Sequence, residues 1–358
     1  MSLPYLQPYL GLSNGLNTLH AVGGGGGGAA GGWVELGRTT LGSSATDITV
    51  SSLPDKRYYM LLHYSTGFNT NANTHLRFNG DTGSNYSSRG SFNAGADTTD
   101  VSQNRILTGG NSTATPNFDV TYIANYANKE KLVIAHNVRQ RTAGAGYAPE
   151  RNESVGKWAN TSSAISSITN STITNTHSSG SELVVLGYDP LDSHSNNFWE
   201  EIYSTTLTSD SSTSNAQFDT GAFTAKKYLW IQIFADANFD PLVRFNSDTG
   251  GNYAARTSYN GSADNTNTSS THSNAGATFV ASNIGLGNIF IVNIANKEKL
   301  GITHGIRVDT LGAGAAPNYR GENVFKWANT SSQITSMQIE KASGTLRAGT
   351  RIKIWGAD

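Results

Sequence analysis

The chain repeats itself once, and this internal duplication limits the possible fold more than any other feature of the sequence. Residues 76–86 (LRFNGDTGSNY) recur as residues 243–253 (VRFNSDTGGNY), 167 positions later, and the KWANTSS segment at 157–163 recurs at 326–332, 169 positions later. A unit of about 160 residues has the size of a complete domain and is far longer than a solenoid repeat. The sequence therefore predicts two homologous domains, residues 33–190 and 198–358, joined by the polar segment 191–197.

Matched apolar runs in the two units predict β-strands. Residues 58–64 (YYMLLHY) and 228–234 (YLWIQIF) are rich in aromatic and aliphatic side chains, and so are residues 182–186 and 351–355. Charged residues make up only 14% of the chain, and Ser, Thr, Asn and 39 glycines separate the apolar runs. These residues favour turns and exposed sheet faces over helices. We expect an all-β protein with two tandem homologous β-sandwich domains, each of about seven or eight strands in a jelly-roll topology.

The first 32 residues lie outside the duplication and form a predicted N-terminal arm. Six consecutive glycines at 23–28 provide a flexible tether. The segment before them is apolar and cannot bury its side chains through local structure alone. We expect it to dock on a neighbouring domain or subunit, with a passive flexible leader as the alternative. The candidate assembly residues are Leu3, Tyr5, Leu6, Tyr9 and Leu10.

Composition excludes several classes of function. The chain contains no cysteine, which excludes disulfides, thiol catalysis and cysteine-ligated metals. Its 25 Lys and Arg against 26 Asp and Glu leave a net charge of −1 without a basic stripe, so we expect no direct nucleic-acid partner. No apolar run approaches the roughly 20 residues of a membrane span, and the N-terminus lacks the pattern of a signal peptide. No cofactor motif is present, and we expect neither a cofactor nor a membrane partner.

The repeated Asn-x-Asp-x-Gly-x-Asn segments offer weak candidates for a calcium site. Asp81 and Asp248 lie at their centres, each with a glycine two residues later. Alternating oxygen side chains can hold calcium, but a calcium loop usually collects more carboxylates. We therefore expect the two aspartates to cap turns through backbone N–H groups, and we expect no bound metal.

Aromatic residues offer candidates for stacking on a sugar. The tyrosines that we expect to be exposed are Tyr86, Tyr253, Tyr147 and Tyr319. Trp158 and Trp327 precede another strand pattern, which favours packing in the core over contact with a ligand.

Two histidines and two glutamates also recur at equivalent positions. His136 and His304 follow a Lys-Leu strand start, and a structural role at a strand end is favoured over catalysis because no catalytic motif accompanies them. Glu153 and Glu322 lie four residues before a lysine in each repeat. This spacing indicates ion pairs with Lys157 and Lys326, rather than a pair of carboxylates for acid–base catalysis.

Several of these motifs together resemble a known family. They are the W-x-E-L-G-R-T-T-L segment at 33–41, RFNGDTGSNY at 77–86, WANTSSAI at 158–165 and the closing Leu-Gly at 186–187. The series is similar to mostly uncharacterised β-sandwich proteins of tailed phages and other viruses of marine microbes, taken to be virion structural proteins. The second repeat departs from the pattern at Ser247 and Trp355.

The resemblance implies a virion structural protein, a capsid or capsid-decoration subunit, made in the host cytoplasm and incorporated into the particle. Its implied partners are further copies of itself and other virion proteins. The alternative is a receptor- or carbohydrate-binding tail fibre or adhesin that recognises a host-surface glycan. The family has no established catalytic residues, and we expect no enzymatic activity.

Overall fold

The computed structural model describes residues 32–112, 114–190, 192, 194, 196–210, 218–236, 241–273, 284–308, 310–317, 319–341 and 345–358. In this part of the chain the regular structure consists of β-strands without a helix, so the protein is all-β. The strands are β1 (Val34–Thr40), β2 (Asp47–Ser51), β3 (Tyr58–Ser65), β4 (Ala72–Phe78), β5 (Tyr86–Phe92), β6 (Thr98–Gln103), β7 (Ile106–Ser112), β8 (Asn117–Ala124), β9 (Lys131–Arg139), β10 (Glu150–Trp158), β11 (Ser167–Ser171), β12 (Glu182–Tyr188), β13 (Glu200–Thr206), β14 (Phe218–Asp219), β15 (Tyr228–Asp236), β16 (Pro241–Phe245), β17 (Tyr253–Tyr259), β18 (Asn265–Ser270), β19 (Ile284–Val292), β20 (Lys299–Val308), β21 (Tyr319–Trp327), β22 (Met337–Lys341) and β23 (Arg351–Ala357).

Each repeat contains one large and one small antiparallel sheet. The large sheet of the first repeat has the order β1-β12-β3-β8-β9-β10-β5-β6, and that of the second has the order β13-β23-β15-β19-β20-β21-β17-β18. The small sheets are β2-β11-β4-β7 and β14-β22-β16. No strand equivalent to β7 lies among the described residues of the second repeat; when the remaining equivalent strands are matched, the two large sheets have the same order. The internal sequence duplication therefore corresponds to a duplicated topology.

The described part of the first repeat contains twelve strands, more than the seven or eight that we expected. Part of the excess comes from residues 117–158, which form three consecutive antiparallel strands, β8, β9 and β10, joined as hairpins. Polar strands account for more of the difference. The strand β6 (TTDVSQ) is almost wholly exposed and lacks an apolar alternation that would reveal it in the sequence.

The large and small sheets of each repeat share a buried apolar cluster. In the first repeat, Ile48, Phe78 and Ile168 of the small sheet pack with Leu61 and Trp158 of the large sheet. The second repeat has an equivalent cluster that includes Phe245, Ile339 and Trp327. Burial of these side chains supplies the main stabilisation within each repeat.

A third cluster joins the two repeats through their large sheets. Tyr64, Phe118 and Val138 of the first repeat pack in the same buried cluster as Tyr228 and Ile302 of the second. The rings of Phe118 and Tyr228 stack with centroids 6.1 Å apart. The outer face of each large sheet thus contributes to an interface between the repeats. Within the described residues, we find no helix long and apolar enough to cross a membrane.

Candidate functional site

The aspartates of the repeated turn hold that turn together through both carboxylate oxygens. Asp81 Oδ1 accepts a hydrogen bond from Gly83 N at 2.8 Å, and Asp81 Oδ2 accepts one from Trp158 Nε1 at 2.7 Å. Asp248 accepts the equivalent bonds from Gly250 N at 2.9 Å and Trp327 Nε1 at 2.7 Å. These donors use the oxygens that a calcium ion would need. The turn-capping geometry that we expected is present in both repeats.

The expectation that Tyr86 and Tyr253 are exposed is wrong. Both side chains are fully buried at the start of β5 and β17. The hydroxyl of Tyr86 accepts a hydrogen bond from Phe78 N at 3.0 Å, and Tyr253 accepts the equivalent bond from Phe245 N. These tyrosines fix the approach of one sheet to the other and cannot stack on a sugar.

The other aromatic candidates differ in their exposure. Tyr147 lies in the loop between β9 and β10 and is 54% exposed, which leaves its ring open to a ligand. Tyr319 is half-buried at the start of β21, where the guanidinium of Arg307 lies 4.0 Å from its ring centroid. Trp158 and Trp327 are buried in the cores of their repeats, as we expected.

A polar cluster lies where the two large sheets meet. His136 on β9 is directly opposite Glu153 on β10, and His304 on β20 is directly opposite Glu322 on β21. Residues directly opposite each other in an antiparallel pair place their side chains on the same face of the sheet. The interface brings the two pairs together, with the rings of His136 and His304 4.1 Å apart between centroids.

Arg151 connects the two glutamates of this cluster. Its Nη1 atom donates hydrogen bonds to Glu153 Oε1 at 2.5 Å and to Glu322 Oε2 at 3.1 Å. Its Nη2 atom donates to Asp264 Oδ1 at 3.0 Å. The arginine belongs to the first repeat, and two of its three carboxylate partners belong to the second. This buried cation therefore links the repeats directly.

The cluster strongly perturbs the pKa values of its members. Burial lowers the pKa of His136 well below its usual value, and the adjacent His304 and Arg151 lower it further. Burial also lowers the pKa of His304 to about 4, so both imidazoles are neutral near pH 7. Burial raises the pKa of Glu153 to about 7 against the opposing effect of Arg151, and the neighbouring Glu322 raises it further. The proximity of the two carboxylates thus makes Glu153 the harder of the two to ionise.

This arrangement corrects two expectations from the sequence. Glu153 and Glu322 do not pair with the lysines four residues later, because Lys157 binds Glu130 and Lys326 lies near Glu298. His136 and His304 lie in the middle of β9 and β20 rather than at a strand end. The recurrence of the histidines and of the glutamates was visible in the sequence. The strand register and the contact between the repeats, which bring these residues into one site, were not.

The described cluster has the composition of a metal site. One ligand atom from each of His136, Glu153 and His304 can be chosen so that all three atoms lie within 4.8 Å of one another. The Nδ1 atom of His136 is buried and has no hydrogen-bond partner. Two neutral imidazoles and a carboxylate form a ligand set suited to transition metals.

An open apolar face covers part of the large sheet of the first repeat. The face borders a groove of about 480 Å³ and consists of Val101, Leu132, Ile134 and Val155, which are 69%, 57%, 48% and 48% exposed. Three of these positions have equivalents that are buried between the repeats, namely Leu300, Ile302 and Val324. The second repeat shows the reverse pattern. Its exposed residues Phe234, Leu286 and Ile306 have equivalents in the first repeat that are buried between the repeats.

The candidate residues of the N-terminal arm, Leu3, Tyr5, Leu6, Tyr9 and Leu10, lie outside the described residues. Their predicted docking therefore stays a prediction.

No known family model matches the chain, and no curated protein matches it. Similar solved structures include the attachment invasion locus protein Ail of Yersinia pestis in complex with the heparin analogue sucrose octasulfate, at 6% identity over 83% of this chain and 99% of that chain, with a TM-score of 0.11. They also include exo-inulinase from Aspergillus awamori, at 10% identity over 74% of this chain and 62% of that chain, with a TM-score of 0.19. Neisserial surface protein A is similar at 7% identity over 80% and 99% of the two chains, with a TM-score of 0.10. TM-scores this low carry no argument about fold or function.

Proposed function

We propose that the chain is a tandem of two jelly-roll-like β-sandwiches. In a jelly roll of eight strands, one sheet has the order first, eighth, third, sixth, and the other has the order second, seventh, fourth, fifth. The small sheet β2-β11-β4-β7 follows the first order if β2 counts as the first strand. The segment β3-β8-β9-β10-β5-β6 follows the second order if the hairpins β8 to β10 together replace the seventh strand. This correspondence supports the assignment.

We further propose that the protein is a structural component of a virion, a capsid or capsid-decoration subunit that assembles with its own copies and with other virion proteins. The observation that carries this proposal is the open apolar face on the first repeat. Monomeric proteins rarely expose contiguous apolar surface of this kind without a partner. The equivalent surface of the second repeat is already used as an interface inside the chain. A non-enzymatic role in assembly accounts for that difference.

The occupant that we propose for the open apolar face is the N-terminal arm of a neighbouring copy. The arm offers Leu3, Tyr5, Leu6, Tyr9 and Leu10, and apolar burial stabilises by about 25 cal/mol per Å². The 31 residues before Gly32 can span up to roughly 100 Å when extended, at about 3.3 Å per residue. A segment of that length can reach an adjacent subunit, and the glycine tether allows it to leave its own repeat.

Deletion of residues 1–20 and the variant Ile134→Glu together test this proposal. Sedimentation velocity of the full chain is expected to show concentration-dependent assembly, and both altered proteins are expected to stay folded and monomeric. Leu311→Glu is the matched control, because Leu311 is 66% exposed but lies away from the open apolar face, and this variant should assemble normally. Normal assembly of the truncated protein, or a full chain that stays monomeric at all concentrations, would contradict the proposal.

A receptor- or glycan-binding fibre is the second candidate function, and the exposed ring of Tyr147 favours it. The ring could stack on a sugar of a host-surface glycan. Glycan-array binding that is lost in Tyr147→Ala and kept in Tyr86→Phe would support this alternative. Absence of glycan binding by the full chain would leave assembly as the function.

A further inference from the structure

The polar cluster between the repeats contains the components of a metal site formed by equivalent residues of both repeats. We propose that His136, Glu153 and His304 bind one divalent transition-metal ion, with Zn²⁺ as the best fit, and that Glu322 supports the site from the second repeat. The duplication supplies two His–Glu pairs, and the interface between the repeats brings them next to each other. The proposal is independent of the virion function.

The positions of the three ligands carry this inference. Their ligand atoms lie within 4.8 Å of one another, so modest side-chain rotation closes them around a single ion. His136 and Glu153 are fixed by direct pairing of β9 with β10, and His304 is fixed by pairing of β20 with β21. Ligands on paired strands are held more precisely than ligands on loops.

One buried ring nitrogen of the cluster favours a bound ligand there. His136 Nδ1 has no hydrogen-bond partner although it is buried, and a buried polar atom without a partner is costly. A ring nitrogen that carries no proton can donate its lone pair to a metal ion.

The groups around the ligands complete the argument. Arg151 donates a hydrogen bond to one oxygen of Glu153 at 2.5 Å and so orients this carboxylate within the cluster. Outer groups of this kind orient ligands and tune metal affinity. The side chains of Glu153 and Glu322 are 23% and 20% exposed, so the cluster can be reached from solvent. Histidine ligands select Zn²⁺, Ni²⁺ or Co²⁺ over the oxygen-seeking Ca²⁺ and Mg²⁺.

The test uses the full, untagged chain after removal of metal with a chelator. Calorimetric titration with Zn²⁺ is expected to show one ion per chain and a higher melting temperature with metal, with no binding of Ca²⁺ or Mg²⁺. Co²⁺ is expected to give a visible d–d absorption band from the imidazole and carboxylate ligands. His136→Ala and His304→Ala should each weaken Zn²⁺ binding by at least about 100-fold, because each removes a direct ligand.

Two further variants keep the test decisive. Glu153→Gln and His304→Gln preserve side-chain size, so they report on the ligands even if an alanine variant fails to fold. His272→Ala is the matched control, because this histidine lies outside the cluster, and it should bind Zn²⁺ like the unaltered chain. The proposal is overturned if the unaltered chain binds no Zn²⁺ at 100 µM, or if the glutamine variants bind Zn²⁺ with unchanged affinity.

Discussion

His136 and His304 are equivalent residues 168 positions apart in the chain, and their ring centroids lie 4.1 Å apart. Contact between a residue and its own equivalent places both near the axis that relates the two repeats. The surroundings of this contact differ between the repeats, because Ile302 is buried while its equivalent Ile134 is exposed, and the buried Arg151 has an exposed equivalent. The interface is therefore asymmetric, and it leaves part of the apolar surface of each repeat uncovered.

Asp81→Ala is expected to destabilise the protein by about 2 kcal/mol, because a buried indole N–H and a turn N–H lose their acceptor. The indole belongs to Trp158 and the turn N–H to Gly83. Urea unfolding measures the change. Asp248→Ala removes the equivalent bonds in the second repeat and should cost a similar amount. A loss below about 0.5 kcal/mol in both variants would show that the turn tolerates their removal.

Glu182→Gln is expected to weaken the interface between the repeats and to change its acid sensitivity. The Glu182 carboxylate accepts hydrogen bonds from Lys227 Nζ at 2.7 Å and Tyr228 Oη at 2.8 Å. Burial acts to raise the pKa of Glu182, but these bonds and one from Thr40 outweigh it and hold the pKa below its usual value. A lowered folded-state pKa stabilises above the unfolded-state pKa, and that stabilisation is lost as the pH falls through the folded-state value.

The melting temperature of the unaltered chain should therefore fall as the pH drops below about 5, and Glu182→Gln should show a smaller fall from a lower starting value. Glu130→Gln, at the exposed ion pair with Lys157, is the control and should keep the normal profile. Identical profiles for the unaltered chain and Glu182→Gln would contradict the assignment.

Arg151→Ala is expected to lower the free energy of unfolding by about 3 kcal/mol. The substitution leaves Glu153, Glu322 and Asp264 without the buried cation that they share. Arg320 is the equivalent residue in the second repeat, but its side chain is 65% exposed. Arg320→Ala should therefore cost less than about 1 kcal/mol. Guanidinium unfolding of both variants measures this difference. Equal losses of stability would show that burial does not determine how much the arginine contributes to stability.

The duplication and the all-β class could be predicted because both follow from patterns within short segments of the sequence. Repeated motifs and apolar runs such as that of β3 need no knowledge of tertiary contacts. The strands β6 and β18 escaped prediction because their polar sequences, TTDVSQ and NTNTSS, lack an alternating pattern. Such strands exist because they pair with β5 and β17, which is tertiary information.

The burial of Tyr86 could not be read from its position after a turn. The pleat of β5 decides which face the ring occupies, and the ring faces the core. Prediction of the polar cluster would have required both the strand register and the packing of the two large sheets. His136 and Glu153 are opposite each other only in the observed β9–β10 register, and His304 joins them only when the large sheets pack together.

Ile134 and Ile302 provide the sharpest test of the asymmetric interface, because they are equivalent residues with opposite burial. Ile302 is 2% exposed between the repeats, and Ile134 is 48% exposed on the open apolar face. Ile302→Ala should cost about 2–5 kcal/mol through lost burial and a residual cavity. Ile134→Ala should cost about 0.5 kcal/mol or less in the isolated chain.

Leu300→Ala and Leu132→Ala form a second matched pair, with the same expected order, because Leu300 is buried and Leu132 is 57% exposed. Urea unfolding at low protein concentration measures all four variants without the influence of assembly. Equal losses within either pair would mean that the two faces are covered alike in solution, and the first repeat would then have no open apolar face to offer a partner.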